Sequence, residues 1–170
     1  VVEYFLNDIE NKPLGIESPK IYINNKKGGF VESSEAYGLS KLSSFAMGSN
    51  FGDLDNDGWL DFYLGTGSPN LRSVIPNRMF KNINGERFIE VTSAGGFGHI
   101  QKGHGVAFAD LDRDGDQDVY AVMGGALEGD TYQNTLYYNP AEKLNFLIVK
   151  LTGTTSNKSA IGAKIILSVV

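Results

Sequence analysis

The sequence predicts an all-β protein built from repeated four-stranded antiparallel sheets, and three observations predict it. A unit of about 57 residues occurs nearly three times, because residues 51–58 align with 108–115 and Tyr63 aligns with Tyr120. Within the unit, short runs rich in Tyr, Phe, Val and Leu alternate with turn residues, without a helical period. Glycines and aromatic residues recur at matched positions. Repeats of this kind are typical of β-propeller blades, which pack face to face around an axis.

The predicted strands divide the chain into three units. The first, 1–44, has strands at 1–6, 20–24 and 29–33 and no Asp-rich loop. The second, 45–101, has a full set of four, including 60–65, 78–82 and 87–92, with the hairpin dipeptide Asn84-Gly85 between the last two. The third, 102–151, has strands within 104–123 and at 134–139 and 145–151. We therefore expect a partial propeller of about three blades, followed by a separate segment, 152–170.

A closed ring needs more blades than this sequence supplies, since propellers have at least about four. An uncovered sheet face or edge also invites pairing with another sheet. We therefore expect further blades of the same polypeptide or neighbouring subunits to cover the open faces.

The composition is that of a soluble globular protein and excludes several classes. The chain has 170 residues, of which 41% are hydrophobic and 21% charged, and it has no cysteine. Disorder, a disulfide scaffold and thiolate metal sites are therefore excluded. No apolar run reaches the 18 residues of a membrane span, and no cluster of basic residues predicts nucleic-acid binding.

The acidic residues are concentrated in two places. Nine of the 11 aspartates lie in residues 53–61 and 110–118, and removing these nine turns the formal net charge from −5 to +4. The acidity is therefore not spread over a solvated surface. Two dense acidic clusters on a mildly basic body predict bound cations.

Each cluster reads Asp-x-Asp-x-Asp-Gly-x-x-Asp, and its spacing suits Ca²⁺. This ion takes six to eight oxygen ligands, and alternate residues of a tight loop can point successive carboxylates at one centre. Glycine at position 6 permits the sharp turn, position 7 offers its backbone carbonyl, and position 9 closes the shell. The predicted ligands of two Ca²⁺ sites are Asp53, Asp55, Asp57, Trp59 (carbonyl) and Asp61, and Asp110, Asp112, Asp114, Asp116 (carbonyl) and Asp118. We expect the Asp116 side chain to face outward, and Trp59 to be exposed in its loop.

Two alternative interpretations of the Asp-rich loops are an EF-hand and a turn cluster without an ion. An EF-hand ends in a bidentate Glu at position 12, but here that position holds Leu64 or Ala121, inside predicted strands. A single loop is also compatible with a solvated turn cluster, because Asp and Gly favour turns. Two copies in register favour the cation site, since four or five like charges held together repel strongly unless a cation neutralises them.

The paired loops, the Phe-Gly and Phe-Ala dipeptides before them and the run Arg-Met-Phe-Lys-Asn at 78–82 resemble FG-GAP/VCBS-type repeats, the propeller repeats also seen in integrin α chains. The resemblance covers most of residues 1–140. Residues 145–164 are similar to the start of an ASPIC/UnbV domain, which follows such repeats in cartilage-acidic-protein-like proteins.

This resemblance implies a Ca²⁺-stabilised propeller, extracellular, at the cell surface or periplasmic, that binds proteins or polysaccharides without catalysis. It implies the same ten ligand positions. The function expected is a structural or adhesive module, and the alternative is the non-catalytic part of a Ca²⁺-dependent surface hydrolase or lyase. A hydrolase triad of His104, Asp110 and Ser49 is the one catalytic arrangement the residues suggest, and no nucleophile motif accompanies it.

Overall fold

A computed structural model describes residues 18–40, 42, 45–67, 75–125, 128–140, 147–155 and 157–168. In these ranges the chain forms nine β-strands and no helix, so no helix that could cross a membrane is found there. The all-β prediction is confirmed for this part of the chain. The strands are β1 (Tyr22–Asn24), β2 (Phe30–Glu32), β3 (Ala46–Gly52), β4 (Asp61–Thr66), β5 (Arg78–Ile83), β6 (Arg87–Glu90), β7 (Gly103–Ala109), β8 (Asp118–Met123) and β9 (Thr135–Tyr137).

The second repeat unit forms the predicted four-stranded sheet. Its strands lie side by side in chain order, β3-β4-β5-β6, and every neighbouring pair is antiparallel. The hairpin between β5 and β6 turns at Asn84 and Gly85, whose φ angles are 54° and 74°. Two successive left-handed residues are the requirement of a type I′ turn, which explains the Asn-Gly signal.

The other two sheets are smaller than a full blade. Strands β7, β8 and β9 form a three-stranded sheet, and β1 pairs with β2. The fourth strand predicted at 145–151 is wrong for residues 147–151, which are exposed and form no strand. The strand predicted at 1–6 lies outside the described residues. In the segment 152–170, the described residues also form no strand. The sheets do not close into a ring, and the number of blades stays a prediction.

Alternate residues of the strands in the central sheet, β3–β6, point to opposite faces. Both faces carry apolar side chains that pack in a core cluster. On one face, Tyr63 and Met79 pack in a core cluster with Val119 of β8. On the other face, Leu64 and Phe80 pack with Leu39, which lies before β3. Burying a large apolar side chain stabilises a fold by about 1.5–3 kcal/mol. The first cluster therefore packs the sheet β3–β6 on the sheet β7–β9, as successive blades would pack, and the second covers the other face of β3–β6 with residues that lie outside β1 and β2.

The inner strands of adjacent sheets, β3 and β7, approach backbone to backbone. A Cβ atom added to Gly48 would lie 1.7 Å from the carbonyl oxygen of His104, which leaves room for glycine alone. The Asn50 side-chain amide donates to the Val106 carbonyl at 2.8 Å. Gly52, at the end of β3, faces Phe108 near the end of β7. The two strands therefore run in the same direction, and the Asp-rich loops that follow them lie at the same end of the stack.

Candidate metal centre

The two Asp-rich loops, residues 53–61 and 110–118, share one backbone conformation. Position 4 is left-handed in both, at Asn56 with φ 55° and at Arg113 with φ 65°. Position 6 is left-handed as well, at Gly58 with φ 89° and at Gly115 with φ 103°. A left-handed arginine is uncommon. The loop geometry therefore determines the conformation at position 4 in both copies, whatever residue stands there.

The first aspartate of each loop folds the loop around its carboxylate. Asp53 accepts backbone N–H hydrogen bonds from Asp57 at 3.0 Å and from Gly58 at 2.9 Å. Asp110 accepts the equivalent pair, from Asp114 at 3.1 Å and from Gly115 at 3.2 Å. Asp at position 1 thus satisfies the donors of the turn, as turn-forming aspartates do.

The last aspartate of each loop starts a strand and is buried. Asp61 is 1% exposed, and its carboxylate accepts the N–H groups of Leu54 at 2.9 Å and Asn82 at 2.8 Å. Burial raises the pKa of Asp61; these two hydrogen bonds oppose the rise, and the Asp55 and Asp57 carboxylates add to it.

Asp118 repeats this arrangement in the second loop. It is also 1% exposed, and it accepts the N–H groups of Leu111 and Asn139, each at 3.0 Å. In each copy, the aspartate at position 9 is therefore held by one N–H group of its own loop and by one N–H group of a later segment.

The structure brings three carboxylates of each loop together. One oxygen from each of Asp53, Asp55 and Asp61 lies within 4.8 Å of the other two, and the same holds for Asp110, Asp112 and Asp114. Asp57 lies outside the first group and accepts the Trp59 N–H at 2.8 Å. Asp118 and Asp116 lie outside the second group. Groups of three carboxylate oxygens at this separation suit a hard cation such as Ca²⁺.

The first loop carries a cation of its own. The Lys81 ammonium on β5 forms a salt bridge with Asp55, and this contact raises the pKa of Lys81. The residue 57 positions later is Tyr138, which has no positive charge. The first carboxylate group is thus partly neutralised by the chain itself, which shows that it attracts positive charge.

The prediction that the Asp116 side chain faces outward is wrong. Asp116 is 6% exposed, and one of its carboxylate oxygens, Oδ1, is buried without a hydrogen-bond partner. Burial, together with the nearby Asp114 carboxylate, raises the pKa of Asp116 to about 6. The spacing of the loop determines its backbone but not the place of this side chain: the short Asp116 side chain stays within the loop beside Asp114, whereas the larger Trp59 ring at the same position extends over the neighbouring hairpin. A buried, unpartnered carboxylate oxygen beside other carboxylates fits a loop that binds a cation.

Trp59 occupies position 7 of the first loop, where the second loop has Asp116. It is 44% exposed, as expected for a residue in the loop. One edge of its indole ring lies against Gly85 of the β5–β6 hairpin, where an added Cβ would be 2.3 Å from a ring carbon. The ring therefore covers the hairpin turn and leaves the rest of its surface to solvent.

The geometry opposes the hydrolase triad that the residues suggested. His104 stands near the start of β7 and Asp110 follows its end, six positions later. At about 3.3 Å per residue in a strand, these residues lie roughly 20 Å apart. The His104 ring contacts the Gly124 carbonyl instead. His104 and Asp110 are therefore not partners in one catalytic site.

Sequence reasoning missed two asparagines and one lysine at the loops. Asn82 and Asn139 close the two loops through their backbone N–H groups, and Lys81 neutralises Asp55. A signal was present, since Asn82 and Asn139 end the aligned blocks 79–82 and 136–139. The blocks predict strands, and their pattern alone does not connect the last residue with the loops.

Comparison with known families agrees with this architecture. Residues 5–64 match the FG-GAP-like repeat. The FG-GAP-like match spans about a third of the chain and ends in β4, so it includes the first Asp-rich loop. FG-GAP repeats are typical of extracellular β-propeller modules of the adhesion type, and the antiparallel sheets fit that fold. No curated protein matches the chain significantly.

Proposed function

We propose that this chain is a Ca²⁺-binding, extracellular structural or adhesive β-propeller module. The observation that carries the proposal is the repetition of one loop geometry: two loops with the same left-handed positions each gather three carboxylates within 4.8 Å. The residues that would hold the ions are the ten of the sequence prediction. Calcium would neutralise the negative charge of these carboxylates and would have a structural role.

Calcium would act on this module through folding. An ion that binds only the folded loops adds about 2.7 kcal/mol of stability when its free concentration is a hundred times its dissociation constant. Extracellular modules bind Ca²⁺ at about 0.1–1 mM. Loops of that affinity are filled outside a cell and largely empty in the cytosol. The location we propose for such a module is outside the cell, at its surface or in the periplasm, where calcium would fill its loops.

The open face of the third sheet supports a propeller with more blades than this chain forms. Tyr63 of β4 is fully covered by the next sheet, whereas its repeat partner Tyr120 of β8 is 38% exposed and Val122 is 39% exposed. Further blades of the same polypeptide or neighbouring subunits would cover this face. The binding partner we propose for the assembled module is a protein or a polysaccharide at the cell surface, and we propose no nucleic-acid partner.

We propose no enzymatic activity for the module. The loss of the His104–Asp110 pairing removes the one triad suggested by the residues. The alternative, which the acidic loops also suit, is the non-catalytic part of a Ca²⁺-dependent surface hydrolase or lyase. We also propose that the repeats are of the VCBS type and that the end of the chain begins an ASPIC/UnbV domain.

Thermal unfolding in Ca²⁺ and in EDTA tests the proposal, with Asp55→Ala and Asp112→Ala as variants. We expect a higher unfolding midpoint in Ca²⁺, and a smaller rise in each variant, because each loses one carboxylate of one loop. Mg²⁺ at equal concentration serves as a control for charge screening. An intact chain with the same midpoint in Ca²⁺ and EDTA would reduce the loops to Asp-rich turns.

A further inference from the structure

A chain of hydrogen bonds connects the two Asp-rich loops. Asn139 donates its backbone N–H to Asp118 of the second loop at 3.0 Å. Its side-chain amide donates to the carbonyl of Leu54, in the first loop, at 2.7 Å. Leu54 in turn donates its N–H to Asp61 at 2.9 Å. Two residues, Leu54 and Asn139, thus link the last aspartates of both loops.

The link is buried at its two ends and half-buried between them, at Leu54 and Asn139. Asp61 and Asp118 are each 1% exposed, and Leu54 packs against the core cluster shared by the two sheets. Hydrogen bonds removed from water are costly to leave unmade. Because the two aspartates are buried and cannot exchange these bonds for water, a shift of either one displaces the residues bonded to it.

The repeat supplies an internal control for this link. Asn82 is the counterpart of Asn139, and it also donates its backbone N–H to the last aspartate of its loop, Asp61, at 2.8 Å. Its side chain donates to the carbonyl of Leu60, in the same loop, at 3.1 Å, and the Asn139 side chain makes the equivalent bond to Gln117 at 3.3 Å. Asn82 therefore fixes one loop, whereas Asn139 fixes one loop and, through its added bond to Leu54, reaches the other.

We propose that the two cation loops are positively coupled, and that Asn139 is the positioning residue that couples them. The inference rests on the proposed function. Asp118 is one of the proposed ligands of loop 110–118, so a cation there would hold Asp118, which holds Asn139 and through it Leu54, whose N–H orients Asp61. The ordering needed by the first loop is then partly complete before its own ion binds, and coupling of this kind is reciprocal.

Terbium luminescence measures the first loop selectively. Trp59 is the single tryptophan of the chain and stands in loop 53–61, so Tb³⁺ emission sensitised by tryptophan reports that loop. The titration is done on the full chain and on Asp112→Ala, which disables the second loop at an exposed residue. We expect Asp112→Ala to weaken Tb³⁺ binding at the first loop about fivefold, within the usual range of coupling between sites.

Two asparagine variants identify the route. In Asn139→Ala the first loop is expected to bind weakly already, and adding Asp112→Ala should change its affinity less than twofold. In the matched control Asn82→Ala, the fivefold effect of Asp112→Ala should persist. The Asp112→Ala comparison needs no asparagine variant, so it stands even if Asn139→Ala fails to fold.

The outcomes separate this proposal from the proposed function. Tb³⁺ binding at the first loop that is unchanged or tighter in Asp112→Ala would overturn the coupling and leave two independent sites. A fivefold effect that persists in Asn139→Ala would overturn the role of Asn139. No Tb³⁺ or Ca²⁺ binding at either loop would overturn the coupling together with the proposed function.

Discussion

Loops 53–61 and 110–118 have the same backbone and a different charge balance. In the first, Lys81 pairs with Asp55, and position 7 is the neutral Trp59. In the second, the place of Lys81 is taken by Tyr138, and position 7 is the buried Asp116. The repeat thus preserves the backbone of the loop, while side chains that are not proposed ligands, those of residue 81 or 138 and of position 7, set the charge that each loop carries.

The sheets that carry the loops differ in the same direction. The sheet β3–β6 is covered on both faces by the two core clusters, whereas β7–β9 is covered on the face toward β3–β6 and exposes Tyr120 and Val122 on the other. The first loop is therefore built on a frame that packing already holds, and the second on a frame with one open side. Both differences predict that the second unit depends more on bound calcium.

The largest expected loss of stability comes from replacing a glycine of β3, and the equivalent glycine of β7 is its control. In Gly48→Ala the new methyl group would meet the His104 carbonyl, so we expect a loss of about 1–3 kcal/mol or more from overpacking. Its repeat partner is Gly105, where a Cβ would lie 3.8 Å from Val122, an ordinary contact. Gly105→Ala should therefore change stability by less than about 1 kcal/mol. Urea unfolding monitored by Trp59 fluorescence measures both, and equal losses would contradict the close approach of β3 and β7.

The next effect concerns calcium removal. With Ca²⁺ at a hundred times the dissociation constant, each filled site is worth about 2.7 kcal/mol. Because Lys81 already neutralises part of the first loop, we expect Asp112→Ala to lose more of the Ca²⁺-dependent stabilisation than Asp55→Ala. Differential scanning calorimetry in Ca²⁺ and in EDTA gives the comparison. A larger loss in Asp55→Ala would reverse the ranking of the loops.

A smaller effect tests the lysine directly. Lys81→Met keeps the length of the side chain and removes its charge, so the first loop should bind Ca²⁺ a few-fold more tightly. In EDTA the same variant should lose about 0.2–1 kcal/mol, the usual value of a partly exposed ion pair. Tyr138→Lys is the reciprocal change and should weaken the second loop. Isothermal titration calorimetry of both variants decides the matter, and unchanged affinities would show that Lys81 does not compete with the ion.

Much of this architecture could be predicted from the sequence because it is encoded locally. Alternating strands, the Asn84-Gly85 turn and the spacing of the aspartates all act over a few residues, and the four-stranded sheet forms where they predict it. The loop aspartates could be found for the same reason. The repeat of 57 residues also predicts which residues of two units are equivalent, since aligned residues occupy the same place in successive sheets.

The rest depends on contacts between distant residues. The pairing of Lys81 with Asp55 arises only when the strands of one sheet come together, and the reach of Asn139 to Leu54, 85 positions away in sequence, only when two sheets are stacked. The missing strand at 147–151 has a similar cause. Its apolar residues suit a strand, but a strand forms only where a partner edge pairs with it.

Counting bound calcium tests the central claim most directly. Equilibrium dialysis of the chain against Ca²⁺ gives the number of ions per molecule, with Asp55→Ala and Asp112→Ala as single-loop controls. We predict two ions for the chain and one for each variant. A chain that binds no calcium at millimolar concentration, or variants that bind as many ions as the parent, would contradict the assignment of the two loops as cation sites.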